Sequence, residues 1–193
     1  GISPQDVQRL LRDAQGEDLH DLRDRAIILF LADSGARVGG LCGLEMGDLE
    51  LERGLAAVTE KAGKTRYVMY TEPTAEALRA WLQAVGIEEG PVFRGLGSRS
   101  EGALTPNGVA AMLRRRSERA GCKGPTNPHA FRHAFARHFL LDGGDLGTLS
   151  DLLGHKSVAI TKEWYGVFRI QELQEKHRRH SPVKSILGGD GHE

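Results

Sequence analysis

The sequence has little cysteine. Cys42 and Cys122 are the two thiols in 193 residues. They show neither a disulfide framework nor metal-ligand spacing, and a reducing, cytoplasmic setting is expected. It also lacks a long apolar run. The longest, Ala26 to Ala32, falls well short of the roughly 20 residues that a membrane span needs. No basic stretch leading into an apolar one opens the chain, so a secretion signal is not expected. Nor is there an excess of either charge, because 26 Lys+Arg face 26 Asp+Glu for a formal net charge of 0. On its face that balance argues against nucleic acid, a polyanion that usually selects a basic surface. What remains, 39% hydrophobic and 27% charged, is the composition of a soluble globular protein. The length suits one compact domain with a real core.

Resolved by position, the neutrality is an average over a segregated chain. Residues 1–100 carry 12 Lys+Arg and 16 Asp+Glu, a balance of −4; residues 101–193 carry 14 and 10, a balance of +4. Between Thr105 and Arg137 stand Arg114, Arg115, Arg116, Arg119, Lys123, Arg132 and Arg137 against a single acid, Glu118. DNA therefore stays open as a partner.

Punctuation residues divide the chain. Ser3-Pro4 is a cap followed by a first-turn proline, with Asp6 placed to complete a capping box. A helix is expected from Asp18 to Ser34, ended by Gly35, with Leu19, Leu22, Ala26, Leu29 and Phe30 spaced near the helical period. A short helix follows over Val38–Leu44. The period then changes: Leu51–Thr59 and Arg66–Tyr70 read as strands around the turn-forming Glu60-Lys61-Ala62-Gly63-Lys64. Helix returns over Pro73–Val85, residues 88–102 read as loop, and Thr105-Pro106 and Asn127-Pro128 open helices to Ala120 and Leu141. Asp145–Leu153, Ser157–Trp164 and Arg169–Arg179 are further expected helices, and the glycine-rich end, 181–193, is expected to be a flexible tail.

Four of the eight histidines, His129, His133, His138 and His155, fall within 27 residues. His129 and His133 are four apart, but the zinc-protease motif needs Glu directly after the first histidine, and Ala130 stands there. No metal is expected, and His133 and His138 read as packing and surface groups. His129 and Arg132, three apart on one helix, share a face. Leu153-Gly154-His155 puts a histidine after a helix-ending glycine, and Tyr165 follows ten residues later. Two cations and two imidazoles around a phenol suit chemistry on a phosphodiester. Tyrosine, with an ordinary pKa near 10, is a poor nucleophile at neutral pH unless the site helps remove its proton. The transition state spreads negative charge over phosphoryl oxygens, which arginine can hold with paired donors.

These residues resemble the catalytic domain of the tyrosine recombinases, the phage-integrase family. The resemblance is carried by Ser34-Gly35-Ala36-Arg37 with Leu41 and Leu44, by the hairpin Glu60 to Arg66, by His129-Ala130-Phe131-Arg132-His133, by Leu152-Leu153-Gly154-His155, and by Tyr165, in the family's order. It implies a mainly helical α+β fold with a small antiparallel sheet, spanning residues 1–180. The family's usual N-terminal helical DNA-binding domain would lie ahead of this chain. By the same resemblance, Arg37 and Arg132 clamp the scissile phosphate and Lys61 protonates the leaving 5′ oxygen, with Lys64 as the alternative lysine. His129 accepts a proton near the nucleophile, His155 is a second phosphate ligand, and Tyr165 attacks. No cofactor is required. The partners implied are double-stranded DNA and further protomers of the same chain, packed through the segment after Tyr165. Lys64, Arg66, Arg114, Arg115, Arg116 and Arg119 are expected to face the DNA backbone. The sequence departs from the family's pattern at Gly40, where an acid often follows the first arginine by three residues. Two rival readings stay open: a DNA-binding protein of the same fold without turnover, and a topoisomerase of type IB using the same chemistry.

Overall fold

The computed structural model of the chain describes residues 1–59, 63, 65–97 and 102–154. The helices expected over 157–164 and 169–179 and the tail at 181–193 lie outside them, as do Lys61, Lys64, His155 and Tyr165. In chain order the elements are α1 (Pro4–Asp13), α2 (Leu19–Ser34), α3 (Val38–Cys42), β1 (Leu49–Glu50), β2 (Leu55–Thr59), β3 (Thr65–Met69), α4 (Glu72–Val85), α5 (Pro106–Ala120), α6 (Pro128–Leu141) and α7 (Leu146–Leu153).

Capping chemistry sets the helix starts. Ser3, Thr105 and Asn127 each accept a backbone N–H three residues on, at 3.0, 3.1 and 3.0 Å, and a proline follows each cap. Asp18 caps α2 by accepting from Asp21 N, and Asp145 caps α7 by accepting from both Gly147 N and Thr148 N. The capping box expected at α1 takes another form. The Asp6 carboxylate accepts from the backbone N–H groups of Lys123 and Gly124 at 3.1 and 3.0 Å and from Arg9 at 2.7 Å, fastening α1 to the segment after α5. Helix α4 is capped from a distance. Asp33, near the end of α2, accepts from Thr71 N at 2.6 Å and from the hydroxyls of Thr71 and Thr74 at 2.7 Å each.

Helix α2 runs through the centre, packing on α1, α4 and α6. A central helix is apolar on more than one side, so Ile27, Ile28 and Leu31 are buried together with Ala26 and Phe30, whereas Leu19 is exposed. The sheet has the order β1-β2-β3, antiparallel throughout, with Ala56 opposite Val68 and Val58 opposite Arg66. Its second strand starts later than expected, because Leu51–Arg53 curls into a 3-10 turn. Residues 88–102, read as loop, contribute two buried side chains, Val92 and Phe93, and the Val92 carbonyl accepts from the Trp81 indole at 2.9 Å.

Two apolar clusters result. The larger one is built on α2, α4, α5 and the sheet. The smaller one joins Ala136 and Leu140 of α6 to Leu146, Leu149 and Leu153 of α7, with Phe135 and Phe139 packed against it.

Candidate active site

The turn that presents Arg37 is built by Ser34 and Gly35. Ser34 closes α2 by donating its hydroxyl to the Phe30 carbonyl at 2.6 Å, and the same oxygen accepts from Ala36 N at 3.2 Å. Gly35 has φ of +59°, and a Cβ there would come within 2.5 Å of the Phe135 ring. Only glycine combines that backbone with that approach. Arg37 then caps α3 with its backbone and sends a half-buried side chain into a cleft of about 430 Å³. Burial, and after it the nearby Arg66 cation, lower the pKa of Arg37 from its ordinary value. Both causes favour an anion beside it.

The same cleft is lined by His129 and Arg132, by Gly39 and Gly40, and by Thr59 at the end of β2, from which the chain runs on towards Lys61. His129 is the second residue of α6 and is exposed at the rim. Arg132, one turn on, is buried, and its guanidinium ties two distant segments together. Nη1 donates to the Gly35 carbonyl at 2.8 Å, and Nη2 to the Leu153 carbonyl at 2.7 Å. One side chain thus fixes the turn before Arg37 and the end of α7, two positions before His155 in sequence. Sequence spacing paired Arg132 with His129, and gave no signal for this bracing role. Gly40 is buried, and a Cβ there would lie 3.2 Å from Val58 Cβ. The position that often carries an acid in the resembled family is packed against the sheet here.

The four expected site residues among Lys61, Lys64, His155 and Tyr165 are outside the described residues, so the structure brings together Arg37, His129 and Arg132. His133 is half-buried and its pKa is lowered, first by burial and then by nearby positive groups, while His138 is exposed.

Not all of the arginines expected to face DNA point outward. Arg116 does not face outward: it is buried, and donates to Asp24 at 2.7 Å, Asp21 at 2.7 Å and Asp13 at 2.9 Å. It continues the inward face of α5 after Val109, Met112 and Leu113, a placement that the 3.6-residue period already implied. Arg119 is exposed but pairs with Asp13 at 2.8 Å. Arg66 turns inward as well, its Nη1 donating to the Leu152 carbonyl at 2.6 Å. Arg114 and Arg115 are exposed.

Solved structures share this architecture. A XerA recombinase superposes with a TM-score of 0.77 at 30% identity, covering 94% of this chain and 65% of that one. A XerH site-specific recombinase, bound to its palindromic difH substrate in a post-cleavage complex, gives a TM-score of 0.73 at 23% identity, over 91% of this chain and 51% of that one. The fold is that of the tyrosine recombinases, and the expected mainly helical α+β architecture is borne out. Among curated proteins, the tyrosine recombinase XerC of Xanthomonas campestris pv. campestris is 38% identical over 142 residues, which is 73% of this chain and 43% of that protein. The tyrosine recombinase XerD of Shewanella oneidensis is 32% identical over 190 residues, 94% of this chain and 61% of that protein. The phage integrase family model matches residues 2–169, and the chain belongs to that family. It spans 43% to 61% of the length of these two relatives.

Proposed function

We propose that this chain is the catalytic domain, residues 1–180, of a site-specific DNA recombinase. The observation that carries the reading is the meeting of Arg37, His129 and Arg132 on one cleft, with Arg132 braced between the turn before Arg37 and the segment before His155. Relatives whose names state tyrosine recombinase activity support it.

In this reading Tyr165 Oη attacks the scissile phosphorus of duplex DNA and passes its proton to His129. The P–O5′ bond breaks, Lys61 protonates the leaving 5′ oxygen, and Arg37, Arg132 and His155 hold the phosphoryl oxygens as charge builds on them. The product is a 3′-phosphotyrosyl link and a 5′ hydroxyl. Because the link conserves the bond energy, a second 5′ hydroxyl reverses the step with no cofactor. Strand exchange needs several protomers on two DNA sites. The catalytic cations act on one phosphate at a time, so zero net charge does not oppose the reading. It does imply that this domain alone grips DNA weakly and at low salt.

The test is covalent capture. A library of nicked duplexes with randomised half-sites is incubated with the protein, and DNA linked to protein is isolated and sequenced. The wild type should trap a sequence-restricted set and Tyr165→Phe none. Trapping by Tyr165→Phe would overturn the nucleophile. No adduct from a longer chain carrying its own upstream sequence would favour a DNA-binding protein without turnover, and relaxation of a plasmid without two-site exchange would favour a topoisomerase.

A further inference from the structure

We propose that Arg66 is a positioning residue of the strand-transfer site, a latch that holds the end of α7 against the hairpin strand β3. The inference rests on the recombinase reading for its consequence and on geometry for the latch itself.

The last carbonyls of a helix lack partners within it and sit at the negative end of its dipole. In α7 two consecutive ones are taken by arginines from different elements. The Leu152 carbonyl accepts from Arg66 of β3 at 2.6 Å, and the Leu153 carbonyl from Arg132 of α6 at 2.7 Å. The next residue, Gly154, has φ of +63°, and the Arg66 stem lies directly on it: a Cβ at Gly154 would come 2.5 Å from Arg66 Cδ and 2.6 Å from Nε. His155 follows in sequence.

Register explains why the arginine points there. Arg66 is paired with Val58 and shares the inward face of β3 with Val68, while Thr65, Tyr67 and Met69 are exposed. Burial also lowers the Arg66 pKa. The position matters because α7 belongs to the smaller apolar cluster with α6, apart from the cluster that holds the sheet. Arg66 is therefore a polar tie between the strand of one apolar cluster and the helix end of the other. One side of it leads through Thr65 to Lys64 and Lys61, and the other through Gly154 to His155. In the recombinase reading, Lys61, the donor to the leaving 5′ oxygen, and His155, a phosphate ligand, are therefore near in sequence to the two sides of this tie.

The experiment compares wild type with Arg66→Met, which keeps the stem and removes the donors, and Arg66→Lys, which keeps a charged N–H donor group. Hydrogen exchange is followed at the backbone amides of residues 150–156, and single-turnover adduct formation is followed on the nicked duplex that the wild type captures. Arg66→Met should exchange at least tenfold faster there and form adduct on the order of tenfold to a hundredfold more slowly at saturating DNA, the scale of a misplaced reacting group. Arg66→Lys should recover most of both. The affinity for the same duplex, and its dependence on salt, should stay unchanged, whereas loss of a phosphate contact would lower the salt slope by about 1. Unchanged exchange in Arg66→Met would overturn the latch. Faster exchange with a normal adduct rate, or a lowered salt slope, would overturn the positioning role. No adduct from the wild type would overturn the recombinase reading and the role with it, while exchange still reports whether the latch exists.

Discussion

Arg132 Nη1 donates to the Gly35 carbonyl at 2.8 Å, across 97 positions of sequence. An arginine proposed to hold the scissile phosphate is also the group that fixes the turn presenting its partner, Arg37. Structural and chemical roles therefore fall on one side chain. Guanidinium presents its donors in a rigid planar fork that reaches two separate carbonyls in fixed directions, a geometry that the compact lysine ammonium does not match.

Arg132→Met should accordingly lose stability as well as adduct formation. It leaves the Gly35 and Leu153 carbonyls without this donor in a buried setting, at a cost of roughly 2–4 kcal/mol. Arg132→Lys should fall between the two in stability and still form no adduct. Urea unfolding alongside covalent capture separates the effects. A fully stable Arg132→Met would show that the two carbonyls do not depend on the fork.

Arg116 offers the opposite case, a cation whose role is structural. It is buried among Asp13, Asp21 and Asp24, and removing one member of a buried ionic cluster strands the others, at a cost of about 3–5 kcal/mol. Arg116→Met should therefore unfold at markedly lower urea, while the exposed Arg115→Met should change stability by less than about 0.5 kcal/mol. Equal stability of the two variants would contradict the burial of the cluster.

How much of this was legible depended on whether the signal was local. Ser3, Thr105 and Asn127, each followed by proline, marked three helix starts, because a cap is satisfied within three residues. The motif pairs Arg37 with Leu41 and His129 with Arg132 are likewise local, and they located the cleft. A charge run says nothing about direction, so the inward turn of Arg66 and Arg116 does not follow from it. The alternation of β3 and the helical period of α5 did carry that information, and both turn these arginines inward. The Asp33 bonds to Thr71 and Thr74 and the two carbonyls held by Arg132 join residues far apart in sequence, for which no spacing rule exists.

Asp6 gives the domain an acid-labile joint. Its carboxyl is held at about 2, below the ordinary 3.8, chiefly by the backbone N–H of Lys123, helped by Arg9, Gly124 and Ser3, with burial opposing. The folded pKa is depressed, so the stabilisation is fully present above 3.8 and is lost as pH falls from there towards about 2. Thermal unfolding should show wild type more stable than Asp6→Asn at neutral pH, with the gap closing over that acid interval. A gap that stays constant through it would mean that the Asp6 charge contributes nothing.

Gly35 couples the candidate site to the smaller apolar cluster. Two separate effects oppose a side chain there: the left-handed backbone, with φ of +59°, and the Phe135 ring, 2.5 Å from where a Cβ would sit. The first is worth roughly 1–2 kcal/mol for a residue other than glycine. The second can be removed independently. Gly35→Ala should therefore be destabilising by more than the backbone term, and its cost should shrink to about 1–2 kcal/mol when introduced into Phe135→Ala. Denaturant unfolding of the four proteins of this cycle measures the coupling. Strict additivity would show that Phe135 yields without cost, leaving backbone conformation as the whole reason for glycine ahead of Arg37.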